Sequence, residues 1–507
     1  MNEGWQVGGA ALVSAGIYLA LMLGVGIWSL GRTRDPRDFF LAGQRPGLWT
    51  ISLATMASAF SGFVFIGGPG LTLRLGTTSL MILAPLGFTA AALCWTCGGR
   101  LRAMAEGGGV LSLPQVVERR FASRAAGAWA ATAVLLGSVA YLAAQVLALG
   151  VVAENIFAFD RYFGPWARPA ALALGVAVVG FYAAAGGMRA AVATDVIQGL
   201  LMLVTAAGVT VFALRATGGV GPALGAIEAS ARFGKDFLDP LGGHRAQTAF
   251  GFFFLFGVGT LGQPHLLHKF FMLRQARDLR WMPLTVGLSQ SLCVVVWMAV
   301  GLGVAALVAG GAMALPTDPD AAAPAFLAGF TPPWMAGLAL AGVLAAVMSS
   351  ADSLVNLGTA ALVWDLPRLV GRRPRRVLVR GRLVTVGLMV AAGVLAGLVG
   401  DLVALVGTFA FGVFAASLAP VMALGLGWRR VGARAACLSM GTGLVLAVGL
   451  ETAARLGGVD GLARWGLPAG TVPGAVALAA SLAVLVVAAA LGPGADPGPP
   501  EPSAPVG

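Results

Sequence analysis

Apolar runs of about twenty residues recur from end to end of the chain, separated by short polar or basic stretches. Thirteen are legible, at roughly 9–30, 47–73, 77–98, 126–153, 167–185, 191–214, 247–271, 283–309, 334–362, 383–399, 402–427, 432–450 and 473–492. Each is long enough for a helix to cross hydrocarbon. The pattern predicts an all-α integral membrane protein of about 13 transmembrane helices.

Two of the runs carry residues that open a helix. In the second, Ala54 to Gly70 place Thr55, Ser58 and Ser61 in an apolar setting, followed by Gly62, Gly67, Gly68, Pro69 and Gly70. Glycine and proline weaken the i to i−4 ladder, and freed carbonyls persist in a bilayer only inside protein or beside a watery cavity. The stretch suits a small cation or a polar solute, and it equally suits a small-residue packing face. The second interruption, Phe256-Gly-Val-Gly-Thr-Leu-Gly-Gln-Pro-His265, lies five spans later.

Paired breaks at this offset point to two inverted repeats of five helices, 47–214 and 247–427. Residues 1–46 are then a peripheral first span and loop, 215–246 an outside loop, and 428–492 peripheral last spans. The Pro- and Gly-rich 493–507 read as a disordered tail, with no soluble module after the last span. Short helices are expected over Leu111–Arg120, with Pro114 in the first turn, and over Pro222–Ala231.

Composition agrees: 58% of residues are hydrophobic and 11% charged. The net charge of +12 does not indicate nucleic acid, because the basic residues fall between spans. With the N-terminus outside, 24 of the 33 Lys and Arg fall on the inner side, which predicts a cytoplasmic C-terminus; the chain is expected to be a multi-pass protein of a bacterial inner membrane. The first run has its basic residues after it, so it reads as a span and not a cleaved leader.

Candidate chemistry gathers in the ninth run. Ser349, Asp352, Ser353 and Asn356 fall at i, i+3, i+4 and i+7, on one helix face. A carboxylate there must face the bundle interior, a cavity or the inside water. Hydroxyls with nearby carbonyls make a hard-oxygen shell fit for Na⁺, or else a polar packing seam. Asp195, after Gly186-Gly187, reads either as a helix-start acid or as an ion-pathway carboxylate. Tyr141 and Gln145 are candidates for the solute or for interhelical hydrogen bonds. Cys94 and Cys97 form a CxxC inside an apolar run, which reads as two packed thiols. No nucleophile–base pair or metal cluster suggests an enzyme.

Five fragments carry a resemblance: Asp38-Phe-Phe-Leu-Ala-Gly-Gln, Ser112-Leu-Pro-Gln-Val-Val-Glu-Arg-Arg-Phe, Gly186 through Gln198, Gly262-Gln-Pro-His, and Met348-Ser-Ser-Ala-Asp-Ser. In this order they resemble the sodium/solute symporter family, with the Gly-Gln-Pro-His segment and the 61–70 pattern similar to its bacterial sodium/proline branch. The resemblance implies an inverted-repeat fold of the leucine-transporter type and uptake of a small polar solute, an amino acid or carboxylate, coupled to Na⁺ influx. It implies a sodium site from the carbonyls of Ala57, Phe60 and Ala346 and the hydroxyls of Ser349 and Ser350, with Asp195 nearby. The solute is expected near Ser61, Gly62, Tyr141, Gln145, Phe256, Thr260 and Pro264. The branch has an aspartate where this chain has Ala59, and Asp352 is the candidate to replace that charge or to carry a proton. The alternatives are proton coupling and a sensor of the same fold; the partners are a small-molecule solute and membrane lipid, with no nucleic acid.

Overall fold

The computed structural model describes residues 9–30, 46–106, 110–156, 159–241, 246–372, 377–399, 402–456 and 462–492. The Asp38 fragment and the tail 493–507 lie outside these residues, as do the side chains of 181–190.

The described residues are helical, with no strand among them. In chain order the helices of eight or more residues are α1 (Gly9–Leu30), α2 (Leu48–Ala59), α3 (Gly68–Leu75), α4 (Leu86–Leu93), α5 (Gly99–Glu106) and α6 (Leu113–Phe121). There follow α7 (Arg124–Ile156), α8 (Ala167–Ala216), α9 (Val220–Ala229), α10 (Ala246–Gly259), α11 (Pro264–Met272) and α12 (Met282–Ala309). The last six are α13 (Ala322–Phe330), α14 (Pro333–Ala360), α15 (Val377–Val399), α16 (Val403–Pro420), α17 (Ala433–Leu456) and α18 (Pro473–Leu491).

Ten helical segments among the described residues have the length and hydropathy of a span, and the bent second run brings the total to eleven. Helix also occupies the two remaining expected positions. These are α1, and α4 continuing through a π turn at Cys94–Gly98 into α5, where Arg100, Arg102 and Glu106 lower the hydropathy.

Local chemistry explains several boundaries. Ser112 Oγ accepts from Gln115 N–H at 3.4 Å and caps α6, with Pro114 in the first turn. Pro264 and Pro333 likewise open α11 and α14, where a missing N–H costs nothing. The expected helix over Pro222–Ala231 is observed as α9.

The reading of Asp195 as a helix-start acid is corrected. α8 runs unbroken from Ala167 to Ala216, so Asp195 sits in mid-helix with no free amides to cap.

The packing is concentric. α14, α16 and α7 have apolar stretches that are 94, 89 and 83% buried, whereas α15 and α18 are mostly exposed, as lipid-facing spans are. α14 touches α1, α2, α7, α8 and α11, which makes it the post around which both interrupted runs are arranged. The four cysteines are all unpaired thiols; Cys97 is fully buried and lies 3.5 Å from the Met422 carbonyl.

Candidate ion and solute site

The second run breaks at Phe60, whose backbone is extended (φ −100°, ψ 108°), and its two arms meet at a bend of 51°. Phe60 N–H still reaches back to Met56 O at 3.0 Å. The next backbone donors bypass the intervening carbonyls: Val64 and Phe65 both turn to Ser61 O, and Phe63 N–H goes to Ser61 Oγ at 3.1 Å. Among the described residues, the carbonyls of Ala57, Ala59 and Phe60 are thus passed over by the ladder, and all but Ala59 belong to buried residues.

The seventh run is interrupted by a 3₁₀ turn at Thr260–Gly262 and by an extended Gln263 (φ −78°, ψ 106°). Thr260 turns its hydroxyl back on the Phe256 carbonyl. Close approach fixes both breaks. A methyl group at Gly62 would lie 2.5 Å from Ala148 Cβ, and one at Gly262 would lie 2.5 Å from the backbone nitrogen of Ala419.

The serines of α14 face the first break. Ser350 Oγ donates to Ser58 O at 3.2 Å, and Ser353 Oγ lies 3.1 Å from Ser58 Oγ. Ser349 donates to Asp195 Oδ1. With its hydrogen spent on the carboxylate, the Ser349 oxygen keeps its lone pairs for another partner. Ala57, Phe60, Ala346, Ser349, Ser350 and Asp195 are all buried. Asp352 is buried on the same helix, within electrostatic reach of Tyr18 of α1, and Asn356 donates to its backbone carbonyl at 2.9 Å.

The solute candidates also converge. Gly62 N–H donates to Gln145 Oε1 at 3.2 Å, and buried Tyr141 lies one turn before Gln145 on α7 with its ring 5.7 Å from that of His265. Phe256 stacks on Phe411 at 4.2 Å and on Phe63 at 5.8 Å, forming an apolar wall. Pro264 starts the helix beyond the second break.

Two contributors were not singled out from the sequence. Gln263 Nε2 donates to the carbonyls of Gly259 and Phe411, both at 3.2 Å, and its buried Oε1 has no partner among the described residues. Lys269, counted in the sequence among the basic residues of an inner loop, is instead only 1% exposed and pairs with Asp195 Oδ2 at 2.8 Å. Its place in an apolar segment, four residues after the Gly-Gln-Pro-His turn, was the available signal.

Such an arrangement, two opened helices against a hydroxyl-lined post, is suited to carrying a cation with a polar solute. The sodium:solute symporter family model matches residues 39–443. The chain belongs to that family. It is a sodium-coupled solute symporter of the inner membrane and not an enzyme, with Na⁺ as its coupling ion.

Curated relatives include the osmoregulated proline transporter OpuE of Bacillus subtilis, 27% identical over 83% of this chain and 84% of that one. The sodium/proline symporter of Escherichia coli is 28% identical over 83% of each chain. Among solved structures, a Na⁺-coupled sialic acid symporter in a substrate-bound outward-open state aligns with TM-score 0.75 at 18% identity, over 97% of this chain and 99% of that one. That likeness shows the fold, which is of the leucine-transporter type with broken helices.

Proposed function

We propose that this symporter carries a proline-like amino acid, with the ion and the solute held on either side of the first break. Sodium is held by the carbonyls of Ala57, Phe60 and Ala346 and the hydroxyls of Ser349 and Ser350, with Asp195 orienting Ser349. Asp352 supplies further negative potential from the same helix. The contact that supports this most directly is Ser350 Oγ on Ser58 O, which puts the serine pair beside the opened carbonyls.

The solute lies against Ser61, Gly62, Tyr141, Gln145, Phe256, Thr260 and Pro264. The Phe63–Phe256–Phe411 wall fits an apolar ring, and Gln263 Oε1 is an acceptor for a solute ammonium. A solute carboxylate is favoured at the N-terminal end of α11. The names of the relatives point the same way. The ranges 47–214 and 247–427 act as the two inverted repeats, the N-terminus lies outside and the C-terminus in the cytoplasm. Moving Lys269 from the loop to the interior still leaves 23 basic residues on the inner side, so the charge asymmetry behind that orientation persists.

Purified protein in proteoliposomes tests the reading. Labelled proline should accumulate under an inward sodium gradient and compete with other small amino acids poorly. Accumulation that follows a pH gradient without sodium would favour Asp352 or Asp195 as a proton carrier. Binding without accumulation would favour a sensor, and no response to proline would refute the solute assignment.

A further inference from the structure

Besides the groups expected to meet sodium, one full charge is already built into the cluster. Lys269 Nζ lies 2.8 Å from Asp195 Oδ2 and 3.5 Å from Ser353 Oγ, and both ends of the ion pair are 1% exposed. The other oxygen of the same carboxylate, Oδ1, receives the hydroxyl of Ser349. The Asp195 carboxylate therefore bridges the ammonium to Ser349 of the proposed sodium site. In a dry interior the attraction is strong, and a buried carboxylate stripped of its partner is costly.

The lysine is also mechanically placed. It belongs to α11, the arm beyond the second break, whereas Asp195 belongs to α8, and Ser349 and Ser353 to α14. The pair ties one arm of an interrupted helix to two uninterrupted ones. Ser353 extends the tie, because its Oγ also meets Ser58 of α2 at 3.1 Å.

We propose that Lys269 is a tethered competitor of sodium: its ammonium holds Asp195 in the sodium-free carrier, and a sodium ion settling against Ser349 draws the carboxylate away from it. The two cations repel across one anion, so each weakens the hold of the other, and the penalty is reciprocal. Lys269 thereby sets the sodium concentration at which the carrier loads. Because the lysine rides on α11, loading also loosens that arm from α8 and α14. This gives sodium the unequal affinity for two conformations that coupling requires.

The inference rests on the sodium site proposed above and is tested separately from it. Thermal stability of the purified full chain is titrated with sodium chloride against potassium chloride for wild type, Lys269→Gln, Lys269→Arg and Lys269→Gln/Asp195→Asn. In Lys269→Gln the half-saturating sodium concentration should fall at least tenfold. Lys269→Arg should stay within threefold of wild type, and the double variant should lose most of the gain. An unchanged or higher half-saturation in Lys269→Gln overturns the proposal.

Wild-type protein supplies a second measurement that needs no folded variant. Sodium, and not potassium, should increase modification of Lys269 by a small amine-reactive reagent, read by peptide mass spectrometry; equal modification in both salts also overturns it. A wild type whose stability ignores sodium would overturn the site itself, whereas a normal sodium response insensitive to position 269 removes only the competitor.

Discussion

Ser350 Oγ donates to the carbonyl of Ser58 across 3.2 Å, joining residues 292 positions apart in the chain. The contact sets a hydroxyl of the central helix beside the carbonyls that the break at Phe60 leaves out of the ladder. Removing it should weaken sodium directly. Ser349→Ala and Ser350→Ala should each raise the half-saturating sodium concentration of uptake about tenfold or more, the scale of a lost ligand worth about 1.4 kcal/mol. Sodium-titrated uptake checks this, and wild-type titrations in both variants would rule out the assignment.

Gly62 has no room for a side chain, with Ala148 Cβ 2.5 Å and Val347 Cγ2 2.9 Å from where its Cβ would stand. Gly62→Ala must push α7 or α14 aside. Overpacking of this kind costs about 1–3 kcal/mol, so a lower melting temperature and sharply reduced uptake are expected together. A variant of normal stability and normal transport would show that the break does not touch these helices as described.

Gln145 is fully buried and accepts the N–H of Gly62 at 3.2 Å. Gln145→Ala leaves that donor unpaired, a loss of about 1–3 kcal/mol. Uptake kinetics should show a solute KM raised about tenfold with a smaller change in sodium affinity. The reverse pattern would move Gln145 from the solute side of the break to the ion side.

Gln263 gives a sharper test of solute chemistry. Its amide nitrogen is committed to the carbonyls of Gly259 and Phe411, which leaves Oε1 as an acceptor only. Gln263→Glu keeps the acceptor and adds charge but loses the two donated bonds, whereas Gln263→Ala loses both functions. If Oε1 receives a solute ammonium, solute affinity measured by equilibrium binding should fall at least tenfold in Gln263→Ala. An unaltered affinity would place the solute elsewhere.

Much of this was legible in the sequence because membranes forbid open backbone except at sites. Gly62 and Gly67 to Gly70, and later Gly262-Gln-Pro, could be read as breaks for that reason. Buried hydroxyls at helical spacing marked the inner face of α14 in the same way. Pairings across the bundle were not legible, since nothing local in Ser350 names Ser58. The sequence places Lys269 at the interface because a lone lysine near the end of an apolar run ordinarily snorkels there. Only the opposing carboxylate of Asp195, 74 positions away, shows that it stays inside. The Gly186-Gly187 pair reads as a helix boundary, but the helix runs on through it, so of the two readings of Asp195 the helix-start acid falls away and the residue is an ion-pair partner.

Backbone-to-backbone contact at Gly262 has a mechanical meaning. Where two main chains meet with no side chain between them, there is no soft material to compress, so that point of the seventh run cannot slide over α16. An arm that carries Lys269 and pivots at this spot has a reach set by the short distance from Gly262 to the end of α11.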